Sequence, residues 1–267
     1  MKTKIFTLLL AMMASVGMMR AEIIYNVTFD NLNYKVDTDA KTAEVQSASS
    51  SAYGDIVVPA SIIYDEQTYS VTSIGAGAFY EVSRVTGVSI PASVTSIGEN
   101  AFYNSGLTSV TIPNNVTNMG EGAFRECFYL TSVIIGNSVT SIGSYAFSDC
   151  SGLTSITVPN SVTSIGSYAF YDCSSLTSIT CEAVTPPTCG TKVFENVNKS
   201  IPLYVPAESV ARYQTADEWK EFTNVLPIET GVEPVVASTA PKKVLRDGQL
   251  IIIRNGVEYN INGIILK

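Results

Sequence analysis

Histidine is absent from the 267 residues of this chain. That absence removes Ser-His and Cys-His catalytic pairs, His-ligated zinc and imidazole acid–base chemistry. Basic residues are scarce as well. Sixteen Lys plus Arg stand against 24 Asp plus Glu, a net charge of −8. A nucleic-acid binder needs the opposite balance to gain from counterion release, so no nucleic-acid partner is expected. Charged types make up 15% and hydrophobic types 46%. With that much apolar surface to bury, the chain is not a disordered polyelectrolyte. No segment reaches the roughly 20 apolar residues that span a bilayer, so no transmembrane helix is expected.

The longest apolar run is short and sits at the start. In MKTKIFTLLLAMMASVGMMRAE, Lys2 and Lys4 precede the run Ile5–Val16, and the stretch closes on Ala21. This is the pattern of a secretory signal, residues 1–21, with cleavage expected after Ala21. No cysteine sits there to take a lipid anchor. The expected location is exported: cell surface or extracellular, with outer-membrane association as one form of it.

A repeat occupies the middle of the chain. Five copies of one unit begin at Val71, Val94, Val116, Val139 and Val162, at intervals of 23, 22, 23 and 23 residues. The fourth reads VTSIGSYAFSDCSGLTSITVPNS. A period of this length marks a solenoid, whose coils bury an apolar face only by stacking. Within a coil, LTSITV places Leu153, Ile156 and Val158 on one side and Ser155 and Thr157 on the other, the alternation of a half-buried strand. Pro91, Pro113 and Pro159 stop successive strands. VTSIG is a second extended piece with Gly143 at its corner. The Ala-Phe pair is expected in a compact helical or 3-10 turn with Phe147 aimed inward. In register these become columns: Phe79, Phe102, Phe124, Phe147, Phe170, and Val85, Leu107, Leu130, Leu153, Leu176. At the strand spacing of about 4.8 Å the five coils form a block about 24 Å long.

The motif VTSIG..AF..C..LTSI.IP, over residues 71–184, resembles the BspA-like leucine-rich repeat of bacterial surface proteins, the Bacteroidetes type among them. The resemblance implies a right-handed β-rich solenoid, and attachment to host matrix proteins, other microbes or mucosal surfaces; host matrix or surface proteins or glycans are the expected partners. One departure is plain: no asparagine ladder fills the turn after the strand, so backbone groups there need other partners.

Both ends of a solenoid need covering. Residues 22–70 (IIYNVTF, NYKVD, TAEVQ, GDIVVP, QTYSVTSI) alternate apolar and polar between turn signals and read as an antiparallel β cap. Residues 185–228 read as a degenerate sixth coil, with Phe194 and IPLYVP, followed by a short helix in AESVARYQTADEWKEF. Val210, Tyr213, Trp219 and Phe222 are then available to shield the last coil, so Trp219 is expected to be structural. Residues 229–243 have linker composition. The tail 244–267 carries Asn255-Gly256 and Asn262-Gly263 as turn signals between strands 249–254, 257–261 and 264–267. It resembles short C-terminal sorting tails of Bacteroidetes secreted proteins; a terminal hairpin docked on the cap is the alternative.

Among candidate sites, the strand face comes first. Ser89, Ser109, Thr111, Ser132, Ser155, Thr157, Ser178 and Thr180 make a short, nearly uncharged surface of hydroxyls that can meet a macromolecular ligand. A serine without an activating base is a poor nucleophile, so the face is read as binding and not catalytic. No cofactor is expected. Cys127, Cys150 and Cys173 share one repeat position with Val82 and Ser105, a small buried slot. Cys181 and Cys189 either stay free or bridge the cap. A metal site is not expected: the ladder thiols face inward, and the column Glu81, Asn104, Glu126, Asp149, Asp172 reads as a solvated ridge without a cage. Tyr80, Tyr103 and Tyr171 share a column, as do Tyr145 and Tyr168. Asp37 and Asp39, a turn-associated DTD in the N-terminal cap, are too weak a signal to carry an enzyme. The functional expectation is an exported, adhesin-like binding protein; a scaffolding component of the envelope without a soluble ligand is the alternative.

Overall fold

The computed structural model describes residues 22–228 and, beyond them, the strands Lys242–Arg246, Gln249–Arg254 and Val257–Tyr259. The signal segment 1–21, most of the linker, Asn255-Gly256 and residues 260–267 lie outside the described residues. The chain divides into two compact units, one ending at Pro227 and one starting at Ile228.

The first unit begins with β1 (Ile23–Phe29), β2 (Leu32–Asp37), β3 (Thr42–Ala48), β4 (Gly54–Val57), β5 (Ser61–Tyr64) and β6 (Gln67–Ile74). β1, β2 and β3 form an antiparallel meander, and β5 and β6 a hairpin. The hairpin turns at Asp65 and Glu66, both at positive φ, the geometry of the tight turns that suit strand twist. β3 pairs in parallel with β6, and β4 in parallel with Val85–Ser89. The segment read as an antiparallel cap therefore contains a shortened coil, Thr42–Val57, ahead of the first copy. The alternation of apolar and polar residues is the same for a hairpin strand and a coil strand, and only the pairing separates them.

Parallel pairing then carries the solenoid forward through about seven turns. On one side, the VTSIG pieces stack as Ser96–Ile97, Asn118–Met119, Ser141–Ile142, Ser164–Ile165 and Thr188–Cys189. On the other, the LTSITV strands form two sheets. One runs from β4 through Val85–Ser89 and Ser109–Thr111 to Ser132–Ile134; the other runs from Ser155–Val158 through Ser178–Cys181 and Leu203–Val205 to Val225–Pro227. The strand face is thus continuous in sequence period and interrupted in strand pairing between the third and fourth copies, where hydrogen bonds from Thr154 to the Thr131 carbonyl still cross.

The core between these sheets is a column of phenylalanines. Phe79, Phe102, Phe124, Phe147, Phe170 and Phe194 are all wholly buried. Successive rings stack with centroids 5.0, 5.0, 5.3, 5.4 and 5.6 Å apart and planes within 9°. Val85, Leu107, Leu130, Leu153 and Leu176 form a second buried column. The Ala-Phe turns stack through their backbones too: each Phe N–H donates to the residue before the next phenylalanine, as Phe124 does to Ala146 at 2.8 Å.

The corner glycine is there for space. A Cβ on Gly143 would lie 2.6 Å from the Gly120 carbonyl oxygen, and one on Gly120 2.6 Å from the Glu99 nitrogen. Coils meet at their backbones here, so any side chain would force them apart.

At the far end, the stretch expected as one short helix is a 3-10 turn Ala207–Ser209, a four-residue helix Val210–Tyr213 and a 3-10 turn Trp219–Glu221. Trp219 is wholly buried, its ring 4.9 Å from Phe194, and its indole N–H donates to the Pro187 carbonyl at 3.0 Å. Tyr213 is also buried and donates to the Ala183 carbonyl at 2.8 Å. In the second unit, Lys242–Arg246, Gln249–Arg254 and Val257–Tyr259 pair antiparallel in that order. The meander starts inside the stretch assigned to the linker, and the expected strand 264–267 lies outside the described residues.

Candidate functional site: the strand face

Each coil enters its strand through a threonine that binds the coil before it. Thr108, Thr131, Thr154 and Thr177 each donate a hydroxyl hydrogen bond to the carbonyl of the preceding threonine in the column, starting at Thr86, at 3.0–3.3 Å. A second ladder runs along the other sheet through Thr72, Thr95, Thr117, Thr140, Thr163 and Thr188 at 3.2–3.5 Å. Each carbonyl so engaged also accepts the stacked threonine's N–H. These two ladders give side-chain partners to backbone carbonyls at the entry of each strand.

Next to the first ladder lie the predicted binding residues. Ser89, Ser109, Thr111, Ser132, Ser155 and Thr157 are exposed, and Ser178 and Thr180 half-buried. Their register is exact in the pairing: Ser109 sits on Ser132, and Ser155 and Thr157 on Ser178 and Thr180. The outer column runs Val57, Ser89, Thr111, Ile134 in the first sheet and Thr157, Thr180, Tyr204, Leu226 in the second. Val57 and Ile134 are 68% and 60% exposed, so the hydroxyl surface carries isolated apolar points.

The first sheet has a hollow of about 560 Å³, whose floor is Gly87 and whose rim includes Asp55, Thr86, Ser89, Ser109 and Thr111. Gly87 occupies a column otherwise filled by Asp55, Ser109 and Ser132. Asp55 leans into the vacancy: a Cβ on Gly87 would lie 2.6 Å from its Oδ1, which accepts a hydrogen bond from the Thr86 hydroxyl at 3.1 Å. The structure therefore brings Ser89, Ser109 and Thr111 together around one depression, and sets Ser155, Thr157, Ser178 and Thr180 on a separate sheet. Sequence reading missed Asp55 and Val57. The signal was present in GDIVVP, which repeats the strand-then-proline pattern of ITVP.

The other candidates resolve into structural roles. Glu81, Asn104, Glu126, Asp149 and Asp172, joined by Asn196, all have φ between 47° and 63°. That column is a row of left-handed turn residues, and Asn104 and Asn196 are its most natural occupants. Among the described residues no group of three or more Cys, Asp or Glu is placed to hold a metal ion. Asp37 Oδ1 accepts the N–H groups of Asp39 and Ala40 at 3.0 and 2.9 Å, an ordinary turn.

Cys127, Cys150 and Cys173 are buried and free, and each thiol donates to a phenylalanine carbonyl of an earlier coil (Phe102, Phe124, Phe147) at 3.0–3.1 Å. Burial pushes Cys127 up to about 11 from the ordinary thiol value of 9.0, and raises Cys150 and Cys173 well above that ordinary value too. Such thiols are neutral, unreactive packing groups. Cys181 and Cys189 are also free, not bridged. Cys181 accepts the Tyr213 phenol at 3.1 Å, and burial raises both thiols, Cys189 to about 12.

The two tyrosine columns merge into one stack. Tyr80 lies on Tyr103 at 4.8 Å, the Arg125 guanidinium sits between Tyr103 and Tyr145 at 5.7 and 5.4 Å, and Tyr145 lies on Tyr168 at 5.0 Å. Tyr103 donates to Glu126 at 2.7 Å, and that bond is the main reason its phenol is pushed up to about 12.

Residues 72–201 match the BspA type Leucine rich repeat region, in six copies. The solenoid is a leucine-rich-repeat fold, similar over that stretch to the BspA type. Similar solved structures include a leucine rich cell surface protein from Faecalibacterium prausnitzii, 26% identical, with a TM-score of 0.50 over 89% of this chain and 61% of that one. A leucine rich repeat protein of T. pallidum is 23% identical, TM-score 0.53, over 73% and 92%. One from Bacteroides ovatus is 22% identical, TM-score 0.39, over 69% and 60%. This chain spans about three-fifths of the Faecalibacterium and Bacteroides chains. No curated protein matches it.

Proposed function

We propose that this leucine-rich-repeat protein is exported and works at the bacterial surface as an adhesin-like binding protein. Its strand face takes the ligand, a host matrix or surface protein or a glycan. The observation that carries the reading is the face itself: aligned exposed hydroxyls, punctuated by Val57 and Ile134, with a hollow at Gly87. A broad, nearly uncharged surface of short side chains desolvates at lower cost than a charged one and offers donors and acceptors at a fixed repeat, which suits an extended partner. Surface location is supported by the likeness to the Faecalibacterium cell surface protein. Among the described residues no helix is long and apolar enough to cross a membrane. Export through residues 1–21 and sorting through 244–267 belong to the same proposal.

The test is binding of the mature chain to a panel of matrix proteins, mucin and glycans. The pair Ser109→Arg, Thr111→Glu is compared with Ser155→Arg, Thr157→Glu. Saturable binding weakened at least roughly tenfold by the first pair is the expected result. Absence of saturable binding, or binding indifferent to both pairs, overturns it.

A further inference from the structure

The tyrosine stack along the outer turns has one bare end. Within the stack, ring faces are taken by neighbouring rings or by Arg125. Tyr80 has Tyr103 on one face only and is 48% exposed. The cause is a shortened coil. Eleven residues separate Val45 from Ile56, whereas fourteen separate their register partners Ile74 and Val88. The coil has no Ala-Phe-Tyr turn: Ala48, whose N–H donates to the Ala78 carbonyl at 2.7 Å as each phenylalanine's does in its own coil, takes the Phe position, and Ser49 and Ser50 follow it. Nothing in that coil can cover Tyr80. The result is a notch of about 350 Å³ lined by Tyr80, Glu81, Ser83, Arg84, Ser49 and Ser50. It shares no lining residue with the hollow on the strand face.

Its charged groups are unspent. Of the two basic residues in 71–184, Arg125 is clamped between two rings and paired with Glu126 at 3.3 Å. Arg84 has no carboxylate partner among the described residues; its guanidinium rests over the Tyr53 ring at 5.6 Å. Glu126 accepts the phenol of the tyrosine one coil earlier. Glu81 holds the same place in its own coil, but the preceding coil has no tyrosine to offer.

A bare aromatic face packs on the C–H face of a sugar ring. A guanidinium takes a carboxylate in two parallel hydrogen bonds. A carboxylate and serine hydroxyls take sugar hydroxyls. A simple anion would leave the ring, Glu81 and the serines unused, and a neutral sugar would leave Arg84 unused. The volume is that of a small ligand site. We propose that this notch binds a terminal acidic sugar of a glycan, with its ring on Tyr80, its carboxylate on Arg84 and its hydroxyls on Glu81 and the serines.

The experiment is ligand-observed NMR on the full chain with 3′-sialyllactose, glucuronic acid, lactose and acetate. At least one acidic sugar is expected to bind, roughly tenfold or more tighter than lactose, with acetate a poor competitor. Arg84→Gln, an exposed change that leaves the core intact, reduces the acidic sugar to the lactose level. Tyr80→Ala removes binding, and Tyr129→Ala, at another exposed ring, does not. Binding of sialyllactose alone assigns a sialic acid, and of glucuronic acid alone a uronic acid. Binding of neither, equal competition by acetate, or indifference to Arg84→Gln overturns the proposal. Ser109→Arg with Thr111→Glu leaves this binding in place, which separates it from the fate of the strand-face reading.

Discussion

The sheet that begins at Gly54–Val57 and the one that begins at Ser155–Val158 stand on the same phenylalanine column, yet they differ in edge, surface and filling. The first ends at its N-terminal side in β4, with Tyr53 and Val57 exposed at 69% and 68%. The second ends in Val225–Pro227, where proline withholds a donor from any further strand. The first holds the hollow around Gly87, while in the second the hydroxyls of Thr157 and Thr180 give way to Tyr204 and Leu226. Behind the second and the last coil of the first runs the thiol ladder, where the earlier copies use Val82 and Ser105. A solenoid lets this happen because each coil touches only its neighbours. The core positions must repeat for stacking to continue, and the outward positions are free to specialise coil by coil.

The largest expected effect tests the shared part. Phe102→Ala and Phe147→Ala should each destabilise by about 3–5 kcal/mol in urea unfolding, since both remove a wholly buried ring from the middle of a stack. Similar losses in a single transition support one spine; a large loss for one and a small loss for the other breaks the two halves into separate cores.

The thiols give the next effect. Their folded values lie above the ordinary 9.0, so the folded state holds protons that the unfolded chain releases. Stability is then full below about pH 9 and falls above it, by about 1.4 kcal/mol per pH unit for each buried thiol. For Cys127 the loss levels off above about 11. Urea midpoints on either side of pH 9 check this, and Cys150→Ser, which copies the Ser105 slot, should flatten the profile by one thiol's share. A flat wild-type profile would mean that the ladder is open to solvent.

The smallest effect sharpens the division between the sheets. Thr154 lies at the junction, where its N–H and hydroxyl reach the Thr131 carbonyl at 3.5 and 3.3 Å; for Thr108 and Thr86 the distances are 3.0 and 3.1 Å. Thr108→Val should cost about 0.5–1 kcal/mol and Thr154→Val less, by thermal or urea unfolding. Equal costs would argue that the ladder passes the junction undisturbed.

Much of this architecture is legible in the residues because stacking imposes identity at fixed intervals. Phe124, Leu130, Val139 and Gly143 recur with their neighbours at 22 or 23 residues, and each recurrence is a contact. The coil Thr42–Val57 was hidden for the opposite reason: it lacks the Ala-Phe turn, and its strands alternate just as cap strands do. The acidic column held a second regularity. Glu126 and Asp149 share a left-handed backbone as well as a charge, and Asn104 was the residue that hinted at it. Of the candidate site, the hydroxyl columns were readable from period two. The hollow was not, since Gly87 matters only through Asp55, 32 positions away in the chain and adjacent in register.

The sequence alone determined the period, the inward columns and the exposed hydroxyls, because each follows from spacing within a single coil. Tertiary structure decided where the strand ladder divides, which coil is short, and that Tyr80 and Arg84 face one notch. Those outcomes depend on how unequal coils register on one another, and a mismatch of three residues between neighbours is invisible until the coils are stacked.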